Sequence, residues 1–179
     1  GMFLVELGKR WTHRRRRSLA AVFGICLGAW SLVFYGSFVE PQLLVVHEEH
    51  IVLSDSADRS LRVVLVSDIH LGPYRDAAWA RRVVEAIQGA RPDIVRGEGD
   101  FIAGKPEEAD GLSPLRALSA PYGVFAVTGN HDYRDEAADE AVVKRLQEAG
   151  VRVLRNETVR ISVDGDELAL FGVRQDFQV

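Results

Sequence analysis

Cysteine is all but missing from this chain. The lone Cys26 lies inside an apolar run, which excludes a disulfide framework and a thiolate metal site. Repeats and low-complexity tracts are also missing, so a solenoid or a compositional scaffold is excluded. Positive charge is scarce outside the first seventeen residues. That stretch holds six of the 22 basic groups and one of the 26 acids, net +5, leaving 16 against 25 elsewhere, net -9. An acidic body repels a phosphate backbone, so no nucleic-acid partner is expected. Apolar residues are plentiful at 47%, enough for a packed core in one domain with an appendage.

Charge of either sign is absent from Ser18 to Val39. These 22 residues would make a helix of about 33 Å, sufficient to cross a hydrocarbon layer of about 30 Å. Arg14 to Arg17 abut its start, so the positive-inside rule keeps residues 1–17 in the cytoplasm and exports the chain beyond Glu40. A cleaved signal peptide is the competing reading. Its apolar region would be shorter, and Tyr35-Gly36-Ser37 puts a bulky ring where cleavage wants a small residue. The paired arginines also permit a twin-arginine export signal. The expectation is an uncleaved single-pass anchor at residues 18–39, a cell-membrane location, and a domain at residues 43–179 outside the cytoplasm.

Beyond the anchor the pattern is α/β. Leu43 to Val52 alternates loosely and predicts a strand, and Ser54 to Ser60 a polar turn. Arg62 to Ser67 is nearly continuous in apolar and β-branched residues, as in a strand covered on both faces. Asp76 to Ala90 predicts a helix with Trp79, Val83 and Ile87 on one face. A strand after Pro92 comes next, then a charged loop over Gly104 to Gly111 and a short helix from Pro114 to Ala120. Gly123 to Thr128 predicts a strand. Asp135 to Ala149 predicts a helix, with Ala138, Val142, Leu146 and Ala149 inward and Gly150 as its C-terminal cap. Short strands at Val151 to Leu154, Val159 to Val163 and Leu168 to Phe171 close the pattern, the last two joined by an Asp164-Gly165 hairpin turn.

Three polar clusters each come just after one of these apolar runs: Asp68-Ile69-His70, Gly99-Asp100 and Gly129-Asn130-His131-Asp132. Asp68 and Asp100 are 32 residues apart, and Asp100 and Asn130 are 30 apart. That is about one strand–helix–strand unit, so parallel neighbours would bring all three clusters to one carboxyl sheet edge, where open α/β sheets bind ligands. Asp68 and His70, two apart on an extended segment, would point to one face as a pair of metal ligands. Gly99 lets the chain turn so that Asp100 faces the edge. Gly129 and Asn130 tolerate left-handed backbone, the Asn carbonyl can ligate, and Asp132 can orient the His131 ring. Carboxylates, imidazoles and an amide in one small volume suit hard or borderline divalent metals.

Ser67-Asp68-Ile69-His70-Leu71-Gly72, Gly99-Asp100-Phe101 and Gly129-Asn130-His131-Asp132 resemble the first three signature blocks of the calcineurin-like metallophosphoesterase superfamily. The anchored start and Gly129-Asn130-His131-Asp132-Tyr133 resemble its bacterial exported or membrane-bound branch. The resemblance covers about residues 45 to 175 and implies part of an αββα sandwich, two β-sheets flanked by helices. It also implies two divalent cations, Mn, Fe or Zn, between which mixed oxygen and nitrogen ligands do not choose. By the same resemblance Asp68 and His70 hold one metal, Asp100 bridges, and Asn130 holds the second. His131 then contacts the phosphate and assists the leaving group, with Asp132 as its orienting partner. The implied reaction is hydrolysis of a phosphodiester or a lipid-linked phosphate by activated water.

The departures from that pattern matter. The family continues with further histidines, including a Gly-His-x-His block, whereas no histidine comes after His131 here. The expectation is a shortened or frame-disrupted form of a longer enzyme, lacking most of the second sheet. An inactive remnant or an anchored interaction module is the alternative. Arg96-Gly97-Glu98 also places two charges in a central strand, costly unless they pair.

Overall fold

The computed structural model describes residues 2–52 and 60–173. The chain divides into two units, residues 1–48 and 49–179. The first is dominated by helix α1, Met2–Phe34, which gives way to a π turn at Tyr35–Val39 and a 3-10 turn at Glu40–Gln42. Within Arg15–Gln42 an 18-residue stretch reaches a mean hydropathy of 1.9 and buries nothing within the structure, so this segment is long and apolar enough to cross a membrane. Trp30, Phe34 and Phe38 stack along one side at centroid spacings of 5.3 and 5.2 Å.

The expected strand at Leu43 to Val52 does not form. The segment carries no ladder, and each of its side chains is exposed. Alternation alone does not make a strand; a partner edge does, and none of the described strands offers one here. The polar turn expected from Ser54 lies, apart from Ser60, outside the described residues.

The second unit is a mixed α/β layer structure. Its central sheet holds β1 (Val63–Val66), β2 (Ile94–Gly97), β3 (Val124–Ala126) and β4 (Arg152–Val153), all parallel and in chain order. Right-handed crossovers that always step the same way put their connecting segments on one sheet face. Those segments are α2 (Ala77–Gly89), a run of 3-10 turns (Pro106–Ala117) and α3 (Glu136–Glu148). The charged loop and short helix expected over residues 104–120 are thus one winding segment, begun by Pro106 and carried through Pro114. Strands β5 (Glu157–Val163) and β6 (Asp166–Gly172) form an antiparallel hairpin. Asp164 (φ 52°) and Gly165 (φ 98°) supply the two left-handed positions that a type I′ turn demands.

Strand periodicity divides the core. Val95, Ala126 and partly buried Val64, Val66 and Val153 face the helices, where they meet Trp79, Val83, Ile87, Leu112, Val142 and Leu146. Each such large apolar side chain contributes about 1.5–3 kcal/mol on burial. On the other face Ile94, Phe125 and Leu154 meet Val159 and Leu170 of the hairpin. Arg96 shares that face, and its Nε lies 3.0 Å from Glu98 Oε1, so the two awkward charges of this region do pair. Both helices start at an aspartate: Asp76 accepts from the N–H groups of Ala78 and Trp79, and Asp135 from that of Ala138.

Candidate metal centre

Val66, Gly97 and Ala126 stand in register at the carboxyl end of the sheet. The three polar blocks therefore leave the strands side by side. The first two stay zipped beyond the ladder: the N–H groups of Asp68, His70 and Leu71 donate to the carbonyls of Gly99, Asp100 and Phe101 at 3.2, 2.9 and 2.9 Å. His131 N–H donates to Asp100 Oδ1 at 2.9 Å, tying the third block to the second.

Left-handed backbone is concentrated here, though not where expected. Asp68 (φ 58°), His70 (φ 47°), Gly99 (φ 97°) and Asp100 (φ 56°) adopt it, while Gly129 and Asn130 do not. The Asp68–His70 segment is therefore not extended. Its side chains still meet, because two left-handed residues flanking Ile69 curl the chain: His70 Nε2 lies 3.3 Å from Asp68 Oδ1. Each non-glycine residue in that region costs about 1–2 kcal/mol, and such strain collects at functional sites. Gly129 serves closeness instead of handedness. A Cβ there would sit 2.7 Å from Asp100 N and overlap the Asp100 carboxylate.

His70, Asp100 and His131 each offer a ligand atom, all within 4.8 Å of one another. Two ligands at about 2.1 Å from one ion span at most about 4.2 Å, so the trio is within a small adjustment of metal geometry. His70 Nε2 lies 3.9 Å from Asp100 Oδ2, and the two imidazoles meet edge to face at 4.7 Å. Asp68 borders this trio through His70, with its carboxylate 64% exposed and accepting from Ser67 Oγ at 2.6 Å. Asn130 is exposed on the turn between Gly129 and His131. The structure thus brings His70, Asp100 and His131 together, puts Asp68 at their edge, and leaves Asn130 on the adjoining turn.

Asp132 does not orient the His131 ring. Its carboxylate is fully buried, with Oδ1 accepting from Ile102 N–H at 3.1 Å and Oδ2 from Gly129 N–H at 3.0 Å. It stitches the second and third blocks together through their backbones. Burial pushes its pKa from 3.8 up to about 6, with the Asp100 charge adding to the rise and the Gly129, Ile102 and Phe101 N–H groups opposing it. The ring partner of His131 is the Ala103 carbonyl, 3.1 Å from Nδ1. A backbone oxygen carries no residue type, so no sequence pattern could name it. Arg75 is equally invisible in the sequence: its Nη1 donates to the carbonyls of Asp68 and Ile69 at 3.0 and 3.2 Å.

Known proteins match over the same stretch. Residues 61–175 fit the calcineurin-like phosphoesterase superfamily domain. An uncharacterized metallophosphoesterase of Aquifex aeolicus is 35% identical over 103 residues, 57% of this chain and 39% of its own length. A transmembrane protein with metallophosphoesterase domain from Bos taurus is 34% identical over 107 residues, covering 59% and 24%. The UDP-2,3-diacylglucosamine pyrophosphatase LpxG of Chlamydia muridarum is 39% identical over 75 residues, covering 41% and 23%. The chain spans well under half the length of these curated relatives. With its three blocks converging at one sheet edge and the domain matched from β1 to the end of β6, the chain belongs to the calcineurin-like phosphoesterase superfamily.

Proposed function

We propose that this protein is a membrane-anchored, metal-dependent phosphoesterase acting on a phosphodiester or a lipid-linked phosphate. The observation that carries this reading is the approach of His70, Asp100 and His131 ligand atoms to within 4.8 Å at the carboxyl sheet edge. Asp68, His70, Asp100 and Asn130 would hold a pair of divalent cations, Mn, Fe or Zn. Bound there, the cations would offset the phosphate charge and acidify a water for in-line attack. The donor chemistry fits, since carboxylate oxygens and imidazole nitrogens suit all three metals.

His131 is the candidate for the leaving-group side. With Nδ1–H donated to the Ala103 carbonyl, the neutral ring keeps its lone pair on Nε2. Protonated there, it can give its proton to the departing oxygen, worth about 10²–10⁴-fold in rate. Asp100 holds the His131 backbone and so fixes where that ring stands. Asp132 keeps the two blocks in register from below.

The lipid-linked option draws on the helix at Arg15–Gln42, on the transmembrane relatives, and on a relative named for a diacylglucosamine pyrophosphatase. In this reading residues 1–17 are cytoplasmic, 18–39 cross the bilayer, and the domain at 43–179 lies outside. The test compares the full chain with Asp100→Asn for bound metal and for hydrolysis of an aryl phosphodiester. The wild type should carry metal and hydrolyse the ester, and the variant should lose both. Hydrolysis unchanged by the substitution would sink the mechanism, and metal binding without hydrolysis would favour a non-catalytic module.

A further inference from the structure

We infer that Arg75 is a positioning residue for the first block, clamping the Asp68 and Ile69 carbonyls so that Asp68 and His70 keep their ligand geometry. Only the metal half of this inference rests on the function proposed above. The clamp itself is independent of any bound ion.

Three observations converge on it. First, Asp68 and His70 are both left-handed without being glycine, so the turn between them is unfavourable unless its surroundings hold it. Second, the Asp68 and Ile69 carbonyls take no part in the zip that joins the first two blocks. Both accept from Arg75 Nη1, at 3.0 and 3.2 Å. Third, the guanidinium is itself fixed. Its Cζ lies 4.8 Å from the centroid of buried Trp79 on α2, and its own backbone exchanges hydrogen bonds with Gly72 at 2.8 and 3.3 Å. A planar charged group pinned on an aromatic face makes a rigid donor, with less entropy to lose than an ammonium on a free stem.

The arrangement joins the helix layer to the strained turn. Trp79 belongs to the helix-side core, and Arg75 carries that rigidity to the Asp68 and Ile69 carbonyls. Outer residues of this kind orient the ligands of metal sites, and losing one costs about 10–100-fold in affinity. A second guanidinium, Arg82, rests 5.1 Å from the same Trp79 centroid from its position on α2. It supplies the comparison, sharing the aromatic contact while Arg75 supplies the donor to Asp68 and Ile69.

The experiment uses the full chain in detergent micelles, as wild type, Arg75→Ala and Arg82→Ala. Amide exchange of the metal-free protein is measured at His70 and Leu71. Arg75→Ala should speed exchange there by about tenfold or more, with α2 protected as before, and Arg82→Ala should leave those amides unchanged. Titration with Mn²⁺ should give affinity about 10–100-fold lower in Arg75→Ala and unaltered in Arg82→Ala. Unchanged exchange in Arg75→Ala, or an equal rise in Arg82→Ala, would overturn the clamp. If the wild type binds none of Mn²⁺, Fe²⁺ and Zn²⁺, the proposed function falls, and exchange alone still decides the clamp. Should the alanine chain fail to fold, Arg75→Met keeps a stem over Trp79 without a donor and carries the same expectations.

Discussion

Gly129 lies so close to Asp100 that one carbon added at position 129 would stand 2.7 Å from the Asp100 nitrogen. The carboxylate at the centre of the candidate site is thus seated against bare backbone. Gly129→Ala must push Asp100 off the His131 N–H or part the second and third blocks. Overpacking of this kind costs about 1–3 kcal/mol. Urea denaturation should register that loss, and bound metal should fall out of proportion to it. A variant as stable as the wild type with full metal content would contradict the account.

Asp132 makes a sharper prediction about stability. Both of its oxygens accept backbone N–H groups, so Asp132→Asn must turn an amide donor against one of them. The cost should be about 1–3 kcal/mol at acidic pH, where the native carboxyl is least penalised. Its pKa rises from 3.8 to about 6 on folding, so the folded state holds the proton more tightly. The stability linked to that proton is full below pH 3.8 and is lost as pH climbs through about 6. A shift of this size amounts to roughly 2–3 kcal/mol. In metal-free protein, this decline between about pH 4 and 6 should be present in the wild type and missing from Asp132→Asn. Parallel pH–stability curves would refute it.

The Arg96–Glu98 pair is half-buried, with side chains 23% and 34% exposed. Removing either partner alone strands a charge at the end of a central strand. Arg96→Ala and Glu98→Ala should each cost about 1–2 kcal/mol, and the double variant less than their sum. The coupling measured in a double-mutant cycle should be about 1 kcal/mol and survive moderate salt. Simple additivity would mean the pair is ornamental.

Much of this architecture is legible in the residues, because local chemistry dictates it. Asp76 and Asp135 mark helix starts, Asp164-Gly165 a tight turn, and the spacing of Asp68, Asp100 and Asn130 a shared sheet edge. The rest is set by partners distant in the chain. Leu43 to Val52 has the alternation of a strand, yet it enters no ladder among the described residues. Pro114 has the look of a helix start, but it sits inside a continuous 3-10 winding that begins at Pro106. Asp132 has the look of a companion for the histidine beside it. Its buried carboxylate is instead claimed by two backbone donors, one of them 30 residues upstream. Adjacency in sequence is a poor guide to which group a buried acid will satisfy.

The orientation proposed for the anchor can be checked with one substitution. Ser119 is exposed on the acidic domain, and the chain's own Cys26 lies within the apolar helix. In intact cells Ser119→Cys should react with a membrane-impermeant maleimide, and the chain should resist alkaline extraction from membranes. Labelling that begins only after lysis would place the domain on the cytoplasmic side.

The unbroken 1-2-3-4 order of the parallel strands has a bearing on how the protein is made. Each strand pairs with the one translated just before it, so the sheet can grow at its edge while the ribosome is still working, without threading a late segment between early ones. The groups at its rim arrive in the same sequence: Asp68 and His70, then Asp100, then His131. A nascent chain halted before β3 would own two of the three blocks and lack Asn130, the last of the proposed metal ligands, together with His131. Metal capture would therefore be deferred to a late moment in biogenesis, after much of the helix-side core that supports the rim has been synthesised.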